Sequence, residues 1–355
     1  MNGMNGNGIN GNGTNGHGLN GNGLNGNGGM SGLTLVTGGA GYVGALVVDE
    51  LARAGKQVRV LDALVHGQRD VADALEERGI EVLVGDVRDS ALRRDALRGA
   101  DSVIHLAAIV GDPACARDPE LSQAVNVDAS KAVVADAQEA GVRHIVFAST
   151  CSNYGRMADP NVPIDEEGLL APVSLYAEQK VSVERMLLSS SNGSQPAATC
   201  LRFATVYGVA PRMRFDLTVN EFTRDLWSER DLEVFGEQFW RPYVHVRDAA
   251  RAVRMALQLG PTRVGGQVFN VGHSDENYRK LDLVEIITGE LGRGSVRYVR
   301  RDEDPRDYKV AFEKARAGLG FEPEMRVPDG VREVAAALES GRFEDPFVAS
   351  YRNIP

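Results

Sequence analysis

Two stretches of this chain hold residues whose types and spacing suit chemistry. The first is SLYAEQK (174–180), which sets Tyr176 and Lys180 four residues apart. On a helix, positions i and i+4 share one face. An ammonium held near a phenol favours the phenolate and lowers a pKa that starts near ~10. A phenol tuned in that way can take a proton from an alcohol or sugar hydroxyl as hydride leaves the carbon. The second stretch is STCSNYG (149–155), which gathers small hydroxyls, a thiol and an amide, with no carboxylate among them. Its Thr150 lies 26 residues before Tyr176. Cys151 has two readings: inert packing, or a thiolate that moves protons at carbon.

Such residues need elements to hold them. HIVFA (144–148) is an apolar run that ends at Ser149 and Thr150 and predicts a buried strand. Similar runs stand at LTLVT (33–37), QVRVLD (57–62), IEVLVGD (80–86) and DSVIHLAA (101–108), with helical patterns between them. Alternating strands and helices imply an α/β fold: a doubly wound parallel sheet covered on both faces. TCLRFATV (199–206), RPYVHVRD (241–248) and QVFNVG (267–272) are expected to return to the main sheet or its edge. The organisation expected is a dinucleotide-binding domain over 33–207, with returning segments about 241–272. Segments 208–240 and 273–345 form a smaller substrate-binding lobe.

TGGAGYVG (37–44) follows the first strand and opens the first helix. Gly38 permits the tight turn, Gly41 lets backbone approach a pyrophosphate, and Gly44 lets the helix pack close to the sheet. Tyr42 and Val43 complete the loop. Asp62 ends the second strand 18 residues beyond Gly44. A carboxylate there accepts from the adenosine ribose hydroxyls and repels a 2′-phosphate, which favours NAD over NADP. Asp86 and Val87 close the third strand. Asp86 either meets the adenine amino group or caps a helix. Leu106, Ala107 and Ala108 leave room beside the cofactor, and His105 reads as a packed strand-end residue.

Composition narrows the partners. The 355 residues carry a net charge of −10 and the pI is about 5.2. So acidic a chain argues against nucleic acid and anionic membranes as partners. Cys115, Cys151 and Cys200 are scattered and match no metal-ligand spacing. They read as reduced thiols in a cytoplasm. No apolar run reaches the roughly 18 residues a membrane span needs. Residues 1–32 hold 13 Gly and 10 Asn and cannot build a core, so a disordered tail is expected there.

The motifs together resemble the extended short-chain dehydrogenase/reductases, in the NAD-dependent epimerase/dehydratase group that acts on nucleotide sugars. The matches are TGGAGYVG, Asp62, GDVRD, HLAA, Asn126 in VNVDAS, STCSNYG, YAEQK, LRFATVYG and RPYVHVRD. They run in family order over residues 33–248. The resemblance implies tightly held NAD, with Asn126 on the cofactor side and Thr150 helping Tyr176 hold the reacting hydroxyl. It implies Arg241 on the substrate diphosphate, with Arg306 and Arg279 as further candidates. It also implies a homodimer joined through a four-helix bundle of helices near 120–140 and 174–190. Two positions depart from the pattern: Thr205 stands where the family usually has Asn, and Asn153 where it usually has an aliphatic. Dehydrating members resemble one another in carrying Thr-Asp-Glu where this chain has Thr150, Cys151 and Ser152. Small neutral residues in those slots fit a 4-epimerase working through a transient 4-keto sugar. A dehydratase or a 4-keto reductase is the other reading.

Overall fold

The computed structural model describes residues 32–353 except 157, 158, 160, 161, 191–195 and 300–305. The expected tail over 1–32 therefore lies outside the described residues, save Gly32. The strands are β1 (Leu33–Thr37), β2 (Val58–Asp62), β3 (Glu81–Val84), β4 (Ala100–His105), β5 (His144–Thr150) and β6 (Ala197–Phe203). They continue with β7 (Thr205–Tyr207), β8 (Asp231–Phe235), β9 (Trp240–His245), β10 (Gln267–Val271), β11 (Asn277–Arg279) and β12 (Ser295–Val299). Seven of them form one parallel sheet in the order β10-β6-β5-β4-β1-β2-β3.

The apolar runs form central strands because side chains alternate between two covered faces. Leu35, Val103, Ile145 and Phe147 face one buried cluster with Val133 and Val183 from the helices Ala129–Glu139 and Leu175–Ser190. Their neighbours Val36, Ile104 and Val146 face the other, with Val47 and Val48 of Gly44–Arg53 and Val253 of Val246–Leu259. Burying a Val or Leu side chain stabilises by roughly 1.5–3 kcal/mol. The chain leaves β1 towards one edge and β4 towards the other. A crevice must therefore open beyond the carboxyl ends of these two neighbours. There Thr37 Oγ1 and His105 Nδ1 lie 2.7 Å apart, and His105 Nε2 lies 2.9 Å from Ser130 Oγ.

One expected strand goes elsewhere. Trp240–His245 does not join the main sheet: it pairs with β7 in parallel and β11 antiparallel in a separate three-stranded sheet. The reason is the short break at Ala204. It lets the chain turn out of β6 into β7 and start a second sheet, which packs on the helices Thr218–Trp227, Lys280–Leu291 and Val327–Glu339 through Tyr207 and Tyr243. β8 and β12 pair in parallel in a two-stranded sheet of their own.

An ion pair is buried under β5. Arg202 donates through Nε and Nη2 to Glu184, at 3.1 and 2.5 Å. Ser149 donates to Glu184 Oε2 at 2.7 Å, Asn153 donates to Ser149 Oγ, and Arg202 Nη1 donates to Tyr154 Oη. Asn153 thus points into the protein, which explains a polar residue at a position the family usually fills with an aliphatic. Removing one partner of such a pair leaves a buried charge uncompensated, at a cost of about 3–5 kcal/mol. Glu184→Ala should lower unfolding stability by that amount in urea titration, and Glu184→Gln by less. A loss under about 1 kcal/mol would show that the pair is not the support described.

Candidate active site

The cleft follows from the crevice. It has a volume of about 520 Å³, within the range of cofactor sites. Its walls include Gly38, Gly41, Tyr42, Val43, Gly44, Asp62, Asp86, Val87, Leu106, Ala107, Ala108, Thr150, Tyr176, Lys180, Thr205 and Arg306. The glycines are needed where they stand. Gly38 has φ +74° and brings the turn against Ala107, where a Cβ would meet the Ala107 nitrogen at 2.8 Å. A Cβ on Gly44 would sit 2.0 Å from the Gly38 carbonyl oxygen. The loop is therefore closed on itself, with the amino end of Gly44–Arg53 facing the cleft.

Asp62 is buried and accepts from the Ala40 amide through Oδ2 and the Leu64 amide through Oδ1, both at 2.9 Å. Burial raises its pKa, and those two amides oppose the shift. Asp86 is tied to Arg88, which holds its carboxyl below the usual range.

Tyr176 and Lys180 project from one face of Leu175–Ser190, as their spacing predicts. Lys180 Nζ lies 5.9 Å from the Tyr176 ring centre and donates to the Ala148 carbonyl at 2.8 Å. The direction of the tyrosine shift differs from expectation. Desolvation by the surrounding protein pushes the phenol well above its ordinary value, Cys115 adds to this, and Arg214 opposes it. Burial also pulls the Lys180 ammonium down to about 8. In the fold itself desolvation dominates both shifts. Thr150 Oγ1 accepts from the Ser152 amide at 3.1 Å, which leaves its hydrogen to donate into the cleft.

Four expected residues stand elsewhere. The Cys151 thiol is buried, donates to the Arg202 carbonyl at 3.2 Å and does not line the cleft. Burial pushes its pKa far up, against the pull of Arg202. A thiol so placed packs in the core beneath β5 and β6. Asn126 does not line it either. Its side chain accepts from the Ile109 amide at 2.7 Å, donates to the Ile109 carbonyl at 3.0 Å, and so pins the loop after β4 from behind. Arg241 stacks its guanidinium 5.4 Å from the Tyr308 ring centre and donates to the Trp240 carbonyl; Tyr308 lines the cleft and Arg241 does not. Arg279 pairs with Asp282 at the start of Lys280–Leu291, away from the lining. Arg306 does line the cleft and pairs with Asp112 at 2.8 Å.

The structure adds residues that motif reading passes over: His66, Gln68, Arg212, Arg214, Tyr308 and Asn353. Only APRMR (210–214), two cations directly after LRFATVYG in an acidic chain, carried a signal. Among the described residues no grouping of His, Cys, Asp and Glu could hold a metal, and no helix is long and apolar enough to cross a membrane.

Known proteins share the family and the fold. The model of the NAD dependent epimerase/dehydratase family matches residues 34–272. The chain is 30% identical to the UDP-glucose 4-epimerase of Streptomyces lividans over 318 residues, 83% of this chain and 92% of the relative. It is 28% identical to the dTDP-glucose 4,6-dehydratase of Streptomyces niveus over 321 residues, 87% of this chain and 93% of the relative. Among solved structures, the UDP-glucose 4-epimerase of Thermus thermophilus in complex with NAD is similar, with TM-score 0.76 and 25% identity. That match covers 86% of this chain and 99% of the other. NAD is the cofactor of this fold family, and the glycine turn, the placement of Asp62 and the cleft volume fit it.

The lysine gives a pH test. Lys180 binds a proton more weakly folded, with a pKa of about 8, than unfolded, near 10.5. Its burial therefore costs stability in full below about pH 8, and that cost fades as pH rises to the unfolded value. The full cost is on the order of 3 kcal/mol. Stability of the wild type relative to Lys180→Met should rise between pH 8 and pH 10 in urea titrations. A difference independent of pH would mean that the ammonium is solvated.

Proposed function

Because the chain belongs to the NAD dependent epimerase/dehydratase family, we propose that it is a nucleotide-sugar 4-epimerase, with Tyr176 as the acid/base. One observation carries the choice among reactions. The carboxylates lining the cleft, among the described residues, are Asp62 and Asp86, both at the β2–β3 end. Around Thr150 and Tyr176 the lining is Ala148, Ser149, Ser152, Ala204 and Thr205, with no Asp, Glu or free thiol. Eliminating water needs an acid and a base at carbon as well as the oxidation. Inverting C4 needs a proton moved on oxygen alone.

In this reading Thr150 donates to the C4 oxygen and fixes it against the Tyr176 phenol. Tyr176 takes the C4 hydroxyl proton and later returns it. Lys180, held by the Ala148 carbonyl, supplies the positive charge that stabilises the phenolate. NAD, which the glycine turn and Asp62 would hold, would supply the hydride acceptor and donor for C4. Small Ala204 and Thr205 leave space for the 4-keto sugar to turn its other face. Arg306 holds the sugar nucleotide's diphosphate at the opposite end from the ribose site of Asp62. Two copies of the chain would join through Ala129–Glu139 and Leu175–Ser190, as the resemblance implies.

Tyr176→Phe should lower turnover by about 10²–10⁴-fold while thermal stabilisation by the sugar nucleotide survives. Near-normal turnover in this variant would refute Tyr176 as the acid/base. The reaction run in D₂O should leave no deuterium on sugar carbon, with no net change in NADH absorbance. Carbon-bound deuterium beside C4 would replace the epimerase with an eliminating or C3/C5-inverting enzyme. Net NADH consumption would make it a reductase.

A further inference from the structure

We infer that Arg212 and Arg214 form the outer half of the cofactor's diphosphate site, with Asn353 near the C-terminus holding Arg212 in position. The inference rests on NAD occupying the cleft and is independent of which sugar reacts.

The segment that carries the arginines is tied to the glycine loop. Tyr42 Oη donates to the Gly208 carbonyl at 2.7 Å, and Asn220 Nδ2 donates to Tyr42 Oη at 3.2 Å. From there residues 209–217 run along the cleft and place both guanidinium groups in its wall. Arg212 is 6% exposed. Its Nη1 donates to Asn353 Oδ1 at 2.8 Å and its Nη2 to the Arg352 carbonyl at 3.2 Å. Its Nε is buried and has no hydrogen-bond partner among the described residues. A buried donor without an acceptor is a liability unless a ligand supplies one.

The charge balance points the same way. Arg214 is satisfied by Asp216, to which it donates through Nε and Nη2, both at 2.9 Å. Among the described residues Arg212 has no such carboxylate of its own. Burial and then Arg214 pull its pKa down to about 10, with Asp216 and Asp62 opposing. An anion in the cleft would complete both its hydrogen bonds and its charge. Both cations act on the cleft: after burial itself, they are what pushes His66 down to about 4.

The choice of anion follows from position. The field of Arg212 reaches Asp62, at the ribose end. That of Arg214 reaches Tyr42 in the glycine loop and Tyr176 at the reacting end. A dinucleotide laid between Asp62 and Tyr176 puts its diphosphate between them, against the amino end of Gly44–Arg53. That helix begins GALV and has no cation in its first turn. The glycine loop therefore offers N–H groups and no full positive charge, and the arginines supply it from across the cleft. The unused Arg212 Nε–H suits one phosphate oxygen as a charge-assisted donor, with Arg214 adding its charge beside it.

Asn353 makes the arrangement rigid. Its amide donates to Asp216 Oδ2 at 3.0 Å, and its Nδ2 donates to the Val110 carbonyl at 3.3 Å. Phe215 donates to the Tyr351 carbonyl at 2.8 Å. Residues 351–353 thus link the loop after β4 to the arginine segment over the same cleft.

The test is calorimetric titration of NAD-stripped full-length protein with NAD, and separately with UDP and dTDP. Arg212→Met should weaken NAD by about tenfold or more, with UDP and dTDP unaffected. Arg212→Lys should recover part of the loss, and Arg214→Met serves if Arg212→Met does not fold. Asn353→Ala should weaken NAD severalfold without lowering the melting temperature of the stripped protein. Unchanged NAD affinity in folded Arg212→Met would overturn the assignment. So would a loss confined to UDP or dTDP, which would give the guanidinium to the substrate's diphosphate. Unchanged affinity in Asn353→Ala would overturn the positioning role. Wild-type protein that binds no NAD at all would fail the cofactor reading itself, a result separate from any effect of the arginines.

Discussion

The constraint on which the rest depends is that both faces of the main sheet are covered. β1, β4 and β5 bury nearly every side chain, so no polar chemistry fits along their length. It can emerge only where the strands end. The crossovers leave β1 and β4 in opposite directions, so a crevice opens at their carboxyl ends. The glycine turn after β1, Asp62 after β2, Leu106–Ala108 after β4 and Thr150 at the end of β5 all reach it for that one reason. Gly38 then has to be glycine because the turn is pressed against Ala107 across the same gap.

In and behind this crevice an acidic protein buries cations, and each is compensated differently. Arg202 has a carboxylate of its own in Glu184 and holds the β5 loop from behind. Lys180 has a carbonyl and a nearby aromatic face, 4.7 Å from the Phe147 ring centre, and its charge is weakened by burial. Arg212 is left with an unused donor. The gradation sorts their roles. The fully paired cation supports structure. The two incompletely paired ones line the cleft, where negative groups of a ligand would complete them.

What could be read from the residues divides along the same line. The glycine turn, the Asp62 position, and the Tyr176 and Lys180 spacing are local signals tied to one turn or one helix, and each lines the cleft. The placement of β9 was not legible, because its apolar pattern does not say which of two sheets it joins. Asn126, Cys151 and Arg241 have suitable chemistry, but each is turned by a partner distant in sequence: Ile109, the Arg202 carbonyl and Tyr308. Asn353 is the extreme case. Its contacts with Arg212 and Val110 span 141 and 243 residues, and no local pattern marks it.

The same geometry explains why the STCSNYG loop lacks an acid or base although carboxylates lie close by. Glu184 and Glu166 sit on the buried side of that loop. Glu184 is bound to Arg202 and Ser149, and Glu166 accepts from the Asn270 amide at 2.7 Å. They steady the loop and leave its cleft side neutral. A carboxylate beside Tyr176 would raise the phenol's pKa further, on top of a desolvation that already raises it. A dehydratase accepts that burden to gain a second proton donor and acceptor at carbon. A site that moves its one proton on oxygen would have no such gain, and the neutral wall of Ser152, Ala204 and Thr205 adds no charge to those of Cys115, Asp112 and Tyr308, which already oppose Arg214 at the phenol.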